Sequence, residues 1–176
     1  YLQLFGFEKN QVLFQNDYAF ESLKEVSNKH EEIRLGNYIT DSYRYSVGKL
    51  SDVQVPVDVA LVPSGVIRET LLPGEVTVDK IFEVFSLGTG PDGVVGYPLM
   101  SAYLTGAELK IIAEIDASVS DLMTEARLFL SGLNYTFNPN RLIFNKVTDI
   151  YLTGTNGERI EIENDKLYHI VADLYT

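Results

Sequence analysis

The stretch Ser64-Gly65-Val66-Ile67-Arg68 places a hydroxyl, a residue without a side chain and a guanidinium directly after the apolar run Val57–Val62. Arginine offers a planar fork of N–H donors that matches a phosphate or a carboxylate. Glycine after a buried strand lets the backbone turn sharply and lets a ligand approach it closely. Spacing alone leaves a second reading open, a structural arginine paired with Glu69 or Glu75. Little else in the chain is poised for chemistry. There are two histidines and no cysteine, so thiolate nucleophiles, thiolate zinc sites and disulfides are excluded together. No HExxH, GxSxG, P-loop or GxGxxG pattern occurs. A hydrolytic two-metal site needs several His, Asp and Asn ligands on loops at strand ends, and the histidines do not supply them. His169 falls in an alternating strand pattern and is expected to be packed or half-exposed. His30 lies in a charged loop and is expected to be solvated. Asp and Glu number 25, but no spacing singles out an acid–base pair, and a solvated acidic surface is expected. A self-contained catalytic site is not.

Composition narrows the partners. The net charge of −11 leaves no basic stripe for a nucleic-acid backbone. A small phosphate-bearing ligand needs only one or two local cations and stays open. With 45% apolar residues over 176 positions, the chain can bury one ordinary core. No apolar run approaches the roughly 20 residues needed to span a bilayer. The first residue is Tyr1 rather than methionine, and the chain ends on a strand-like segment, so an excised domain of a longer protein is expected.

The elements that must hold this loop read as follows. Gln11–Gln15 is a short strand, and Glu21–Glu32 is a loop or short helix. Leu35–Leu50 spaces Ile39, Tyr43 and Val47 along one helical face, with Asn37 or Thr40 as the expected cap. The run from Val57 is a buried strand, followed by a loop through Pro73-Gly74. Thr77–Phe85 is a helix capped by Thr77, and Ser86–Pro98 is a glycine- and proline-rich loop. Leu99–Leu104 is a strand. Thr105-Gly106-Ala107-Glu108 carries a capping box at the head of a helix, with a further helical piece over Ser118–Ala126. From Leu128 strands dominate: Leu128–Phe137, Arg141–Leu152, a hairpin at Asn156-Gly157 and a last strand over Lys166–Tyr175. The expected fold is a single α+β domain with helices and strands mixed early and antiparallel strands late.

Five blocks then resemble a known family in their order along the chain. They are "EIRLGNYITDSYR" (Glu32–Arg44), "VDVALVPSGVIRETLLPGEVTVDKIFEVFSLGT" (Val57–Thr89), "YLTGAELKIIAE" (Tyr103–Glu114), "LSGLNYTFNP" (Leu130–Pro139) and "DKLYHIVADLY" (Asp165–Tyr175). They are similar to the C-terminal domain of the 5′-nucleotidase family, which includes UDP-sugar hydrolases and 2′,3′-cyclic phosphodiesterases. The resemblance implies an extracytoplasmic, two-domain hydrolase. An N-terminal metallophosphoesterase domain would hold two divalent metal ions, and this domain would bind the nucleotide or related phosphoester. No cofactor is then expected in this chain itself.

Carried over by position, the family's Asn-x-Gly-Gly-x-Arg loop falls on "PSGVIR". Gly65 and Arg68 match, while Pro63 stands for Asn and Val66 for the second Gly. The resemblance makes Arg68 the contact to the phosphate or carboxylate end of the substrate, with Ser64 and Gly65 in the same loop. The family's Pro-Phe-Gly-Asn loop falls on "SLGT": Leu87 takes the place of the stacking Phe, Gly88 matches, and Thr89 replaces Asn. Lys29, His30 and Arg34 are candidates for the family's basic residues before its Gly-Asn pair. These departures imply a parent acting on a different phosphoester, or a domain that has kept the fold without base recognition.

Overall fold

The computed structural model describes every residue except 1–5, 29, 51–54, 87, 89–92 and 94–95. Its frame is a four-stranded sheet in the order β4-β9-β2-β5, formed by β4 (Leu99–Thr105), β9 (Leu167–Asp173), β2 (Val59–Pro63) and β5 (Leu128–Ser131). β2 pairs with β9 in parallel and with β5 antiparallel, and β4 runs antiparallel to β9. All five residues of β2 are buried, because helices cover both faces. This is why "VALVP" reads as a continuous apolar run rather than an alternation.

One face belongs to α2 (Arg34–Leu50), whose Leu35 and Ile39 pack with Val62, Val66 and Phe129. Tyr43 and Val47 continue that stripe onto Ala60 and Val171. Around this core lie β1 (Val12–Asn16), α1 (Leu23–Asn28), β3 (Gly74–Thr77) and α3 (Val78–Val84), with β1 and β3 forming an antiparallel pair. The other face belongs to α4 (Gly106–Val119), whose Leu109 packs with Val59 and Tyr168. The same cluster takes in Leu133, Leu152 and Ile162, from or beside the sheet of β6 (Leu133–Phe137), β7 (Val147–Thr153) and β8 (Arg159–Glu161). The expected α+β class holds, with one parallel pair at the centre.

The caps explain where helices start. The box at Thr105 forms as expected: its hydroxyl accepts from the Glu108 amide, and Glu108 accepts from the Thr105 amide at 2.7 Å. Thr77 caps α3 by accepting from the Lys80 amide. The expected cap of α2 is corrected. The helix begins at Arg34, and its early amide at Leu35 is satisfied by Glu21 Oε2, 3.2 Å away, so Asn37 and Thr40 lie inside the helix. A side chain distant in sequence replaced the local cap.

Other boundaries also moved. The loop expected through Pro73-Gly74 gives way at Gly74 to a strand, β3 (Gly74–Thr77), because β1 offers it a partner. The piece at Ser118–Ala126 is the end of α4 and a 3-10 turn at Thr124–Ala126. The run Leu128–Phe137 is two strands in different sheets, divided at Gly132. Its φ of 86° suits glycine, and a Cβ there would meet the Asp58 carbonyl oxygen at 2.1 Å. The run Arg141–Leu152 becomes a strand only from Val147. No helix among the described residues is long and apolar enough to cross a membrane.

Candidate functional site

The loop after β2 is built from backbone ties. A 3-10 turn over Ser64–Val66 follows Pro63. Val66 and Ile67 are buried and anchor the turn, and the Arg68 amide donates to the Val84 carbonyl at 2.9 Å, fastening the loop to the end of α3. The Arg68 side chain is exposed, and it shows no hydrogen bond or ion pair with any described residue. Glu69 instead accepts from the Thr70 amide. The pairing with Glu69 or Glu75 that spacing left open is therefore absent among the described residues.

Arg68 stands at the edge of a groove of about 650 Å³, within the size range of small-molecule sites. Leu61, Ile112, Ile115 and Met123 give it an apolar floor, and Tyr175 adds an aromatic ring. Among the described lining residues Arg68 is the only cation, and Glu125 is the carboxylate. Tyr175 was not singled out from sequence. It lies directly after β9, with its amide held by Asp173 Oδ1 at 2.8 Å, and no local signal in the sequence marks it for the groove.

The neighbours of Arg68 in the motif turn inward. The Ser64 hydroxyl donates to the Thr124 carbonyl at 2.6 Å, and its amide donates to the Arg127 carbonyl at 2.7 Å. A Cβ on Gly65 would lie 2.9 Å from the Glu125 carbonyl oxygen, so glycine lets two 3-10 turns meet. Pro63 is buried in β2 opposite Leu128. Gly88 is exposed with φ of 87°, while Leu87 and Thr89 lie outside the described residues, as does Lys29. Arg34 is held by Glu21 at 2.8 Å. Its guanidinium is pushed above its usual value by that hydrogen bond.

The expectation that His30 is solvated is corrected. Its side chain is 16% exposed, with Nε2 lying 3.3 Å from Asp116 Oδ2 and 3.1 Å from the Tyr135 hydroxyl. The ring also packs on Phe137, centroids 4.5 Å apart. Asp116 was part of the expected solvated acidic surface, yet it is buried on α4. It accepts from the Tyr135 hydroxyl, from Ser120 Oγ at 2.6 Å and from the Leu128 amide at 2.8 Å. Burial pushes the Asp116 carboxyl up, but the hydrogen bonds from His30, Ser120, Tyr135 and Leu128 outweigh it and hold the group below its ordinary value. Burial and the Asp116 charge push the Tyr135 phenol up. His169 is buried as a strand residue, stacked on Tyr103 and hydrogen-bonded to Ser101 at 2.5 Å.

Among the described residues no group of three or more His, Asp and Glu could hold a metal ion. The described residues thus do not fit a dimetal site.

The comparisons with known proteins agree on one family. Residues 12–176 match the family model described as 5′-nucleotidase, C-terminal domain. The chain is 31% identical over 154 residues to the 5′-nucleotidase-related protein of Glossina morsitans morsitans, covering 82% of this chain and 26% of that one. It is 23% identical over 167 residues to the trifunctional nucleotide phosphoesterase protein YfkN of Bacillus subtilis, covering 94% of this chain and 10% of that one. The fold is similar to the 5′-nucleotidase precursor from Thermus thermophilus, with a TM-score of 0.72 and 24% identity over 93% of this chain and 29% of that one. It is also similar to the NAD nucleotidase of Haemophilus influenzae, with a TM-score of 0.68 and 18% identity over 95% of this chain and 29% of that one. The chain therefore spans well under a third of each of these relatives. From the near-complete family match it follows that this chain belongs to the 5′-nucleotidase C-terminal domain family.

Proposed function

We propose that this chain is the substrate-binding domain of an extracytoplasmic, metal-dependent 5′-nucleotidase-like phosphoesterase. It is one domain of a longer protein, and an N-terminal metallophosphoesterase domain of the same chain carries the two divalent metals. The greater length of the relatives supports this division. So does the lack of a metal-ligand cluster among the described residues. The observation that carries the reading is Arg68, an exposed guanidinium without a described protein partner at the edge of an apolar groove. A phosphate takes the fork of Arg68, and the base or sugar lies over Ile112, Ile115 and Met123 against the ring of Tyr175. Such stacking contributes about 1–3 kcal/mol per base. Gly65 and Ser64 form the backbone frame of the proposed site, and the family resemblance adds Leu87, Gly88 and Thr89, of which Leu87 and Thr89 lie outside the described residues.

A second reading, a binding or structural module without nucleotide recognition, is favoured by Pro63. It is buried in β2 and offers no hydrogen-bonding side chain where the family has Asn. Titrating the chain with AMP, adenosine and UDP-glucose by NMR or calorimetry separates the two. Binding of AMP that Arg68→Ala weakens supports the first reading, and no shift at millimolar ligand sinks it. In the parent protein with added manganese or zinc, nucleotide hydrolysis that Arg68→Ala leaves untouched removes Arg68 from the site.

A further inference from the structure

The loop between β6 and β7 carries three consecutive large apolar residues, Leu142, Ile143 and Phe144, and all three are exposed, Leu142 at 81%. A run of this kind on a surface marks a place of contact. The loop is built to display it. The Phe144 amide donates to Ser118 Oγ at 2.8 Å, and the Glu114 carboxylate accepts from the amides of Lys146 and Val147 at 2.9 and 3.0 Å. The Asn138 amide closes the base of the loop on the Lys146 carbonyl at 2.9 Å, and the Asn145 amide turns back to the Leu142 carbonyl at 3.0 Å. Phe144 has a φ of 59°, the one positive value outside glycine among the described residues. A bulky residue stays in that region only where its surroundings hold it there. The backbone is thus fixed, and the apolar side chains stand in water.

From this tip, apolar residues lead along α4 to the Arg68 groove. Ile111 and Ile115, four apart, share one side of the helix and are both exposed, where a surface helix ordinarily turns polar residues outward. Ser118, which holds the Phe144 amide, comes three residues after Ile115. Ile115 also lines the groove, as does Met123, and Leu122 directly before Met123 is exposed.

Charge and chain length select what covers this strip. A net charge of −11 sets two copies against each other and sets the chain against an anionic lipid surface. The chain spans 29% of the Thermus thermophilus precursor, so most of a parent of that length lies outside it. A domain that acts on a phosphate held by Arg68 must close over the groove, and there it meets Ile115 and Met123 first.

We propose that the tip at residues 142–144 and the Ile111 and Ile115 side of α4 form a rigid apolar docking edge for the N-terminal metallophosphoesterase domain of the same chain, seating that domain beside the Arg68 groove. The inference rests on the reading of this chain as the substrate-binding domain of such a parent.

The test is hydroxyl-radical footprinting of the parent protein beside the 176-residue chain. Leu142, Phe144 and Ile115 are expected to be modified about threefold or more slowly in the parent than in the chain alone, while Tyr45, exposed on α2 across the sheet, reacts equally in both. A double variant, Leu142→Ser with Phe144→Asn, removes the tip and keeps a residue at ease with positive φ. It should leave the melting temperature and the AMP binding of the 176-residue chain unchanged. In the parent it should lower kcat for AMP hydrolysis about tenfold, because the metal domain is then misplaced against the groove. Footprinting needs no activity, so a parent that protects the tip but hydrolyses no nucleotide sinks the functional reading and leaves the docking edge standing. Equal modification in both proteins, or a variant parent with the wild-type rate, would overturn the docking edge. So would protection of the isolated chain that grows with its concentration, which makes the occupant a second copy, or capture of the chain by phosphatidylcholine vesicles, which makes it a lipid surface.

Discussion

The loop carrying Arg68 and the cluster around Asp116 lie on opposite sides of the same short segment, residues 125–128, and they treat charge in opposite ways. Asp116 is 1% exposed and accepts hydrogen bonds from Ser120, Tyr135, His30 and the Leu128 amide. Arg68 is exposed and shows no described partner. A buried charge persists only when its neighbours satisfy it, and those neighbours come from four different parts of the chain. Its role is to lock α4, β5, β6 and the segment before α2 together. An exposed charge without a partner locks nothing, so its value to the protein lies in what it can still bind. The comparison predicts that breaking the first region costs stability and breaking the second costs ligand.

The largest effect is expected from Asp116→Ala. It strands the Leu128 amide and the Tyr135 hydroxyl in a buried setting and removes the charge facing Arg127, a loss of about 3–4 kcal/mol in urea unfolding. Linkage gives the pH dependence. The folded carboxyl sits below its ordinary 3.8. Its contribution is therefore complete above the ordinary carboxylate range and fades as pH falls through that range toward the folded value. Between about pH 5 and pH 2 the wild-type chain should lose stability more steeply than Asp116→Ala. Equal slopes would mean that the Asp116 network is not what ties these elements together. Next comes Gly132→Ala, which forces a Cβ to within 2.1 Å of the Asp58 oxygen at a φ of 86°. A cost of about 3 kcal/mol is expected, because neither backbone can give way without moving β2 or the β5–β6 corner. A wild-type melting temperature would show that the corner is looser than this contact requires.

The same contrast explains what the sequence made legible. Arg68 was visible because its signal is local: a glycine and an arginine at fixed spacing after a buried strand. The capping box at Thr105 and the hairpin at Asn156-Gly157 were visible for the same reason. Asp116 was not, since its partner His30 lies 86 positions away and Tyr135 lies 19 away. Nothing in "AEIDASV" distinguishes a buried aspartate from one on a helix surface. The start of α2 was misplaced for a related reason, because Glu21 reaches in from 14 positions upstream to satisfy an amide that a local cap would otherwise take. The family blocks carried the fold class and pointed to the loop of Gly65 and Arg68 but not to Tyr175, whose place in the groove depends on how β9 ends beside α4.

On the ligand side, Arg68→Ala should leave stability within about 0.5 kcal/mol of wild type, as expected for an exposed side chain without a hydrogen bond or ion pair to a described residue. AMP affinity should fall by about 1.5–3 kcal/mol, the usual range for a hydrogen bond to a charged group. A marked fall in stability with no change in AMP binding would reverse the comparison and place Arg68 with the structural residues.

Ser64→Ala makes the smallest and sharpest test, because Ser64 belongs to the motif by sequence and to the interior by geometry. Its hydroxyl is buried and donates to the Thr124 carbonyl at 2.6 Å. That carbonyl also accepts from the Arg127 amide at 3.3 Å, so it keeps a partner after the substitution. The expected cost is therefore a single satisfied hydrogen bond, about 1 kcal/mol of stability. AMP affinity should stay near wild type, because the hydroxyl points at the turn before β5 and not at the groove. If affinity instead falls as far as in Arg68→Ala while stability holds, the hydroxyl must swing to the ligand on binding. The boundary between the two regions would then run through Ser64 rather than between Gly65 and Arg68.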